Sequence, residues 1–375
     1  MKKLFAFLLT VLLLLTPFCS YAEEDDEIKA KSAVLMCMDT GDVIYRKNEK
    51  EHLSPASVTK IMTILLVLEA IDSSKVKLTD KVSASADAVQ MGGSQIWLEQ
   101  GEIMTVEELL KAVIIASAND ACTALGEHIG GSSSGFVKMM NDRAKELGCN
   151  DTNFENCNGL DDTATNHYSC AYDLALISTE VMKHKSVVKY TTIWLDSLRG
   201  GKTELNNTNK LVNTYNGITG LKTGTTSNAG FCVAATARRD GMNLVAVVLG
   251  SDTSEDRFET AAKLLDKGFA EYEIIKPKID KKKIKSVKVR GGKVKSLKPV
   301  AEVTGRFLVK KGSENINYKY TVISNVSAPV KKGDTLGKIN VMSDKTKVGE
   351  ISLIAPDNVE KIELKSIFSD ILLKI

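Results

Sequence analysis

Apolar and polar positions divide the chain into two regions of different character. Two apolar runs, Ala33-Val34-Leu35-Met36-Cys37-Met38 and Val43-Ile44-Tyr45, flank Asp39-Thr40-Gly41-Asp42. Asp and Gly at that break predict a strand hairpin. After Pro55-Ala56 an unbroken run, Ile61 to Leu68, predicts a buried helix beginning close to Ser57. Thr105-Val106-Glu107-Glu108 reads as a capping box ahead of the apolar stretch Leu109 to Ile115. Helical patterns follow from Ala121 to Ile129 and from Phe136 to Leu147, and Ser169 is placed to cap a third from Ala171 to Met182. Phe231 to Ala237 and Leu244 to Gly250 read as an antiparallel pair turning at Asp240-Gly241, with a helix from Arg257 to Tyr272 behind them. Beyond Pro277 the runs shorten to strands such as Val287-Lys288-Val289, Phe307-Leu308-Val309, Tyr318 to Ile323 and Glu350 to Ile354, separated by Gly- and Lys-rich turns. The pattern predicts an α+β fold, an antiparallel sheet with a helical cluster, followed by a small all-β domain.

The two ends add localisation to this picture. Lys2-Lys3, the apolar run Leu4 to Leu15, Thr16-Pro17 and Ser20-Tyr21-Ala22 form a secretory signal over residues 1–22, with cleavage expected after Ala22. The main domain is then expected over 23–276, the β-rich domain over 277–357 and a terminal amphipathic helix over 358–375. In that last stretch Leu364, Ile367, Phe368, Ile371, Leu372 and Ile375 fall at helical spacing between charged residues. It is too polar to span a bilayer, and it is read as an anchor lying in the membrane interface. The chain is thus expected to act outside the cytoplasmic membrane.

Composition narrows the chemistry. The 375 residues carry a net charge of only +3, so no nucleic-acid partner is expected. The seven cysteines show neither Cys-x-x-Cys pairing nor zinc-like spacing with histidine, and no metal is expected. Most read as packed thiols, and whether Cys149 and Cys157 close a loop stays open. None of the four histidines lies in a triad context. Gly131-Ser132-Ser133-Ser134-Gly135 fits a nucleophile elbow in letters only, because a helix and not a strand precedes it.

The chemistry instead points to Ser57 and Lys60. Residues three apart share a helix face. A lysine in apolar surroundings loses its proton more readily and can activate a neighbouring hydroxyl. The same spacing recurs in Ser74/Lys77 and Ser186/Lys189, but both fall in polar stretches at helix ends. Ser117-Ala118-Asn119-Asp120 interrupts two apolar helical stretches, and taken alone it reads as an N-cap by Asn119 or Asp120. Lys222-Thr223-Gly224, taken alone, reads as a strand terminus where glycine leaves room for a substrate backbone.

Ser57-Val58-Thr59-Lys60, Ser117-Ala118-Asn119 and Lys222-Thr223-Gly224 occur in the order and separation of the penicillin-recognising serine enzymes. With the flanking Thr152 to Leu160 and Gly220-Leu221, the chain resembles the low-molecular-mass D-alanyl-D-alanine carboxypeptidases, firmly from Ile28 to Lys276. The resemblance implies a β-lactamase/transpeptidase-like fold and a cofactor-free serine peptidase. It also implies that peptidoglycan stem peptides are the substrate and that β-lactam antibiotics are covalent inhibitors. By resemblance, Ser57 is the nucleophile, Lys60 its base and Ser117 a proton relay. Asn119 holds the substrate amide, and Lys222, Thr223 and Arg257 hold the terminal carboxylate. Gly224 admits the substrate backbone, and the N–H groups of Ser57 and Thr225 form the oxyanion hole. Ala118 and Thr225 depart from the commonest residues of such enzymes. A β-lactamase, which would need a carboxylate such as Glu146 to activate water, and a catalytically silent wall-binding scaffold are the alternatives.

Overall fold

Neighbouring residues of the central strands serve two different cores. The computed structural model describes residues 28–363 except 163, 304 and 314. The expected signal sequence and the terminal segment from Leu364 lie outside the described residues. Strands β1 (Ser32–Cys37) and β2 (Val43–Lys47) form the expected hairpin. With β3 (Ile218–Thr226), β4 (Gly230–Arg239) and β5 (Met242–Ser251) they build an antiparallel sheet in the order β2-β1-β5-β4-β3. Val34, Met36, Val245 and Val247 face one core, while Ala33, Leu35, Leu244, Ala246 and Val248 face the other. A strand alternates its side chains between faces, so a sheet covered on both sides needs apolar residues at every position. That requirement explains the unbroken apolar run of β5.

Helices cover one face, and one long helix with the short helix Leu211–Thr214 covers the other. The buried helix predicted near Ser57 starts slightly later. Ala56–Thr59 is a 3-10 turn, and α1 runs Lys60–Asp72. From Lys60 to Leu68 every residue of α1 is buried, so it has no solvated face and sits inside the helical cluster. Around it lie α2 (Asn119–Gly130), α3 (Ser133–Glu146) and α4 (Ala171–Val181). Thr105 and Glu108 make the reciprocal capping box ahead of Val106–Lys111. Ser132 caps α3, as a link rather than a nucleophile elbow would. The cap of α4 is Cys170, whose sulfur accepts from the Asp173 N–H, and not Ser169, whose hydroxyl bonds Thr152 instead. On the opposite face α5 (Ser254–Glu271) lays Phe258, Ala261, Leu264, Leu265 and Phe269 on the sheet.

The chain then enters the all-β region. β6 (Tyr272–Ile275) pairs with β7 (Phe307–Lys310), so hydrogen bonding in this region begins directly after α5. β8 (Ile316–Val322), β9 (Thr335–Ser343) and β10 (Thr346–Ile354) form a sheet closed at its other edge by Val300–Glu302. Small cores of Ile284, Phe307, Ile339, Val341, Ile351 and Leu353, and of Val287, Val330, Leu336 and Val359, hold it together.

One loop ties the helical cluster to the turn that carries Ser57. The Asn156 carboxamide accepts from the Gly159 N–H at 2.7 Å and donates to Leu160 O at 2.7 Å. Asn141 accepts from the Phe154 N–H at 2.8 Å. The Cys157 carbonyl accepts from the Thr63 hydroxyl at 2.7 Å. This brings Gly159, at φ +85°, so close to the turn that a Cβ would lie 1.8 Å from Ala56 O and 2.8 Å from Thr59 Oγ1. Gly159→Ala is therefore expected to cost about 3 kcal/mol or more, combining backbone strain with overpacking. Gly148→Ala, at φ +77° with open space around it, should cost only the left-handed strain of about 1 kcal/mol. Melting temperatures of the two variants check the difference.

Candidate active site

The Ser57 hydroxyl is placed by a turn and the Lys60 amine by a helix. Ser57 is half-buried, whereas Lys60 is wholly enclosed. The Lys60 amine donates to Ser57 Oγ at 2.8 Å, to Asn119 Oδ1 at 2.6 Å and to Asn158 O at 2.8 Å. Three acceptors match the three donors of an ammonium. Even so, burial brings its pKa down to about 8 from an ordinary 10.5. Loss of the proton lets the 2.8 Å contact reverse, with Ser57 donating to the amine. By contrast Ser74, Lys77, Ser186 and Lys189 are exposed, as their polar surroundings predicted.

Asn119 and Asp120 do not cap α2, because no side-chain cap bond is made there. Asn119 is turned inward, bonding Lys60 through Oδ1 and Gly92 O through Nδ2 at 2.7 Å. Its backbone N–H reaches Ser94 O at 2.7 Å. The buried Asp120 carboxylate accepts from the N–H groups of Ile96 (3.1 Å) and Leu98 (3.0 Å). Together these side chains hold the Gly92–Leu98 loop against the site. Ser117 ends the irregular helical turn Ala112–Ala116 in a left-handed conformation, φ +62°, and is 5% exposed. Such a backbone is costly for a residue with a Cβ and is commonly found where function demands it.

The lysine motif reaches the same place along β3, the free edge of the sheet. Gly224 presses against the turn so closely that a Cβ would lie 2.8 Å from Pro55 O and 2.8 Å from Ser57 N. Thr223 donates to the Thr208 hydroxyl at 2.7 Å, and the Thr208 N–H bonds Ile115 O two residues before Ser117. Lys222 is buried and donates to Thr223 O at 2.9 Å. Burial, then the charges of Lys60 and Arg257, hold its pKa well below the usual lysine range.

Arg257 lies behind the strand rather than across an open cleft. Its Nη1 donates to Gly224 O (3.0 Å), Thr225 Oγ1 (2.9 Å) and Cys232 O (3.2 Å), and its guanidinium lies 4.7 Å from the Phe258 ring. Burial lowers its pKa to about 10, and its Nε is buried without a partner. Arg257 therefore braces Gly224 and Thr225, and its charge is felt at the strand edge.

Two supports were not recognised in the sequence. His167 accepts the Glu155 N–H on Nδ1 at 3.1 Å, so its Nε2–H faces Thr59 Oγ1 at 2.8 Å. Burial keeps it neutral, with a pKa of about 4. Asn158 acts through its carbonyl, which no side-chain pattern could reveal. Glu146 lies on the solvated face of α3, paired with Arg143 at 3.1 Å, and offers nothing to a water beside Ser57. The six cysteines among the described residues are buried free thiols, Cys149 and Cys157 included. Asp151, Cys170 and Asp173 gather donor atoms within 4.8 Å of one another. Asp173 already accepts from the Asp151 N–H and the Thr152 hydroxyl, so the group reads as the closure of a loop.

The arrangement is a serine beside a buried lysine whose pKa is lowered, with further cations at a strand edge, and the chain as a whole is similar to known proteins. The family model of D-alanyl-D-alanine carboxypeptidases matches residues 20–253, and that of the penicillin-binding protein 5 C-terminal domain matches 272–361. D-alanyl-D-alanine carboxypeptidase DacF of Bacillus subtilis is 42% identical over 96% of this chain and 95% of its own. DacC of Escherichia coli is 34% identical over 93% and 90%. The structure of penicillin binding protein 5 from Haemophilus influenzae superposes with a TM-score of 0.82 at 31% identity, covering 89% of this chain and 98% of that one. Penicillin-binding protein D2 from Listeria monocytogenes in its ampicillin-bound form matches at a TM-score of 0.60 and 32% identity, over 65% and 99%.

Only a neutral amine can accept the serine proton. Acylation of Ser57 is expected to accelerate as pH rises through about 8 and to level off above it. Stopped-flow acylation rates across the range check this. A rate independent of pH through that window would remove Lys60 as the base.

Proposed function

The chain belongs to the D-alanyl-D-alanine carboxypeptidase family and is a serine-type D-Ala-D-Ala carboxypeptidase; from that premise we propose how its own residues carry out the reaction. Ser57 Oγ attacks the carbonyl of the penultimate D-alanine of a peptidoglycan stem peptide, and its proton passes to the Lys60 amine. The bond between Ser57 Oγ and the carbonyl carbon forms as a tetrahedral oxyanion. The backbone N–H groups of Ser57 and Thr225 stabilise that oxyanion, an effect typically worth about 3 kcal/mol per donor. The C–N bond then breaks, and the leaving nitrogen takes a proton through the Ser117 hydroxyl. Free D-alanine departs, and water attacks the ester with Lys60 again as base.

Substrate binding follows from charge. The terminal carboxylate supplies the anion that the depressed ammonium of Lys222 lacks. The Thr223 hydroxyl binds the carboxylate by turning its proton away from Thr208, which can then donate to Thr223 in return, and Arg257 adds its field through Thr225. Asn119 orients both Lys60 and the substrate amide. Gly224 lets the peptide backbone lie against β3. The single observation supporting these roles is the direct contact of a fully buried Lys60 with Ser57 and Asn119. β-Lactams, as cyclic mimics of the same amide, acylate Ser57, and Glu146, the carboxylate a β-lactamase reading would use to activate water, is instead paired with Arg143.

The division into a catalytic domain, a β domain and a terminal anchor is likewise our reading, with the expected boundary at 358 moved on, because Val359 and Lys361 pair with Val330 and Gly292 and Val359 lies in the β-domain core. It is supported by the change of sheet partners after α5. The basic-then-apolar start of the chain supports export. The amphipathic spacing from Leu364 to Ile375 supports a peripheral anchor at the outer face of the membrane. No helix of the described residues is long and apolar enough to cross a membrane.

Incubation of the enzyme with a muropeptide pentapeptide should release one D-alanine, seen as a mass loss, and Ser57→Ala should release none. Turnover by Ser57→Ala would refute the nucleophile. Deletion of Lys365 to Ile375 should free the protein from membranes with activity retained. Truncated protein that still sediments with membranes would contradict the anchor.

A further inference from the structure

The two N–H groups assigned to the oxyanion belong to different parts of the fold. Ser57 lies on the Ala56–Thr59 turn, which leads into the helical cluster, and Thr225 lies on β3 of the sheet. Their separation is set by whatever joins the turn to the strand. Among the described residues no backbone hydrogen bond does so. Gly224 supplies one junction by pressing on Pro55 O and Ser57 N. A van der Waals contact of this kind resists compression strongly and separation weakly. It sets how closely the two parts approach, and something else must keep them together.

A carboxylate supplies that second junction. Asp161 Oδ2 accepts the Thr226 hydroxyl at 2.6 Å and the Ser54 hydroxyl at 3.3 Å. Ser54 precedes Ser57 by three residues, and Thr226 directly follows Thr225. Thr226 Oγ1 in turn accepts the Ala229 N–H at 3.0 Å, so the tip of the β3–β4 hairpin closes on the same bridge. Hydroxyl bonds to a charged oxygen are shorter and roughly twice as strong as neutral ones. The short arm of the bridge is the one that holds the strand.

The loop carrying Asp161 is itself fixed on both sides of it. Before it, Asn156 holds the Gly159 N–H and Leu160 O, and the Leu160 N–H reaches Asn158 Oδ1 at 3.0 Å. After it, Asn153 Nδ2 donates to Asn166 O at 2.7 Å, and His167 meets Thr59. Asp161 is half-buried and forms no ion pair among the described residues. Its carboxylate therefore serves the two hydroxyls and not a neighbouring cation.

We propose that Asp161 is a positioning residue for the oxyanion hole, holding Thr225 at a fixed distance from Ser57 by bridging Thr226 to Ser54. It acts through the strand and the turn and not on the reacting atoms. Oxyanion donors are effective only where they already point at the developing charge. Such a constellation must be held within about 0.5 Å of its productive geometry. Without the bridge Thr225 can drift, while Lys60 keeps its three acceptors. The assignment rests on the carboxypeptidase reading and deepens it.

The test follows acylation by a fluorescent penicillin in stopped flow, against concentration, so that initial binding and the covalent step separate. Both bridging bonds fall on one oxygen, so a carboxamide can replace it, and Asp161→Asn should retain the wild-type rate. Asp161→Ala and Thr226→Val should each slow the covalent step by about tenfold, a fraction of the loss on removing an oxyanion donor outright, with initial binding unchanged. Thr226→Val keeps the shape of threonine and reports even where Asp161→Ala does not fold. The double variant should be no slower than Thr226→Val alone, because both changes cut one link. The rise in rate through about pH 8 should keep its midpoint, since Asp161 is not among the Lys60 acceptors. Wild-type rates in both single variants would overturn the bridge and leave the carboxypeptidase standing. An Asp161→Asn rate as low as that of Asp161→Ala would show that the charge itself is required, and a shifted midpoint would tie Asp161 to Lys60. Either result, or additive losses in the double variant, would equally overturn the bridge. A wild type that penicillin does not label would overturn both readings.

Discussion

Enclosure of one ammonium governs the site. An amine removed from water loses its hydration, and the charged form suffers most. Lys60 keeps three acceptors within 2.8 Å, enough to stay ordered but not enough to hold its proton as tightly as water would. Each acceptor comes from a different part of the chain: the Ala56–Thr59 turn, α2, and the loop that ends at Leu160. The helical cluster is thus built around a group whose burial is tolerated because all three of its donors are met. If any one acceptor were lost, the buried amine would be left with an unsatisfied donor, at a cost of about 1–3 kcal/mol.

The second constraint is rigidity at the strand edge. β3 has a strand partner on one side only, and its residues are held by contacts from outside the sheet. Gly224 seats on the Ser57 turn, Thr223 is tied through Thr208 to the segment before Ser117, and Arg257 clamps Gly224 and Thr225 from behind. Preorganised donors aimed at the developing charge need no rearrangement at the moment of reaction. The non-catalytic residues His167, Asp120 and Asn156 serve the same end, each holding a loop or turn whose backbone faces the nucleophile. Neutral His167 is well suited to this, since burial disfavours a charged ring there and leaves Nε2–H to meet Thr59.

The two covered faces of the main sheet account for the division of labour. One face carries the helices that enclose the amine. The other carries α5, which delivers Arg257 and then passes the chain directly into β6. The all-β region begins where that helix ends and shares none of the residues that surround Ser57. Catalysis and any role in positioning the enzyme at a surface can therefore vary independently.

Local pattern carried much of this protein. The β1–β2 hairpin, the buried α1, the Thr105–Glu108 capping box, the β4–β5 pair and the β-rich far end were legible because periodicity and turn chemistry are properties of neighbours in the chain. The three motifs were legible because side-chain types suited to the chemistry recur at set positions. Where two local readings competed, pattern had no means of choosing. Asn119 looked like a helix cap and is instead a partner of Lys60, because its outcome depends on an amine 59 positions away. Ser169 and Cys170 exchanged the role of cap for the same reason, Ser169 being claimed by Thr152. The carbonyl of Asn158, the ring of His167 and the carboxylate bridge from Ser54 to Thr226 have no sequence signature at all. Burial, backbone direction and charge pairing across the fold arise only when distant segments meet, and these decided which of the legible residues could act together.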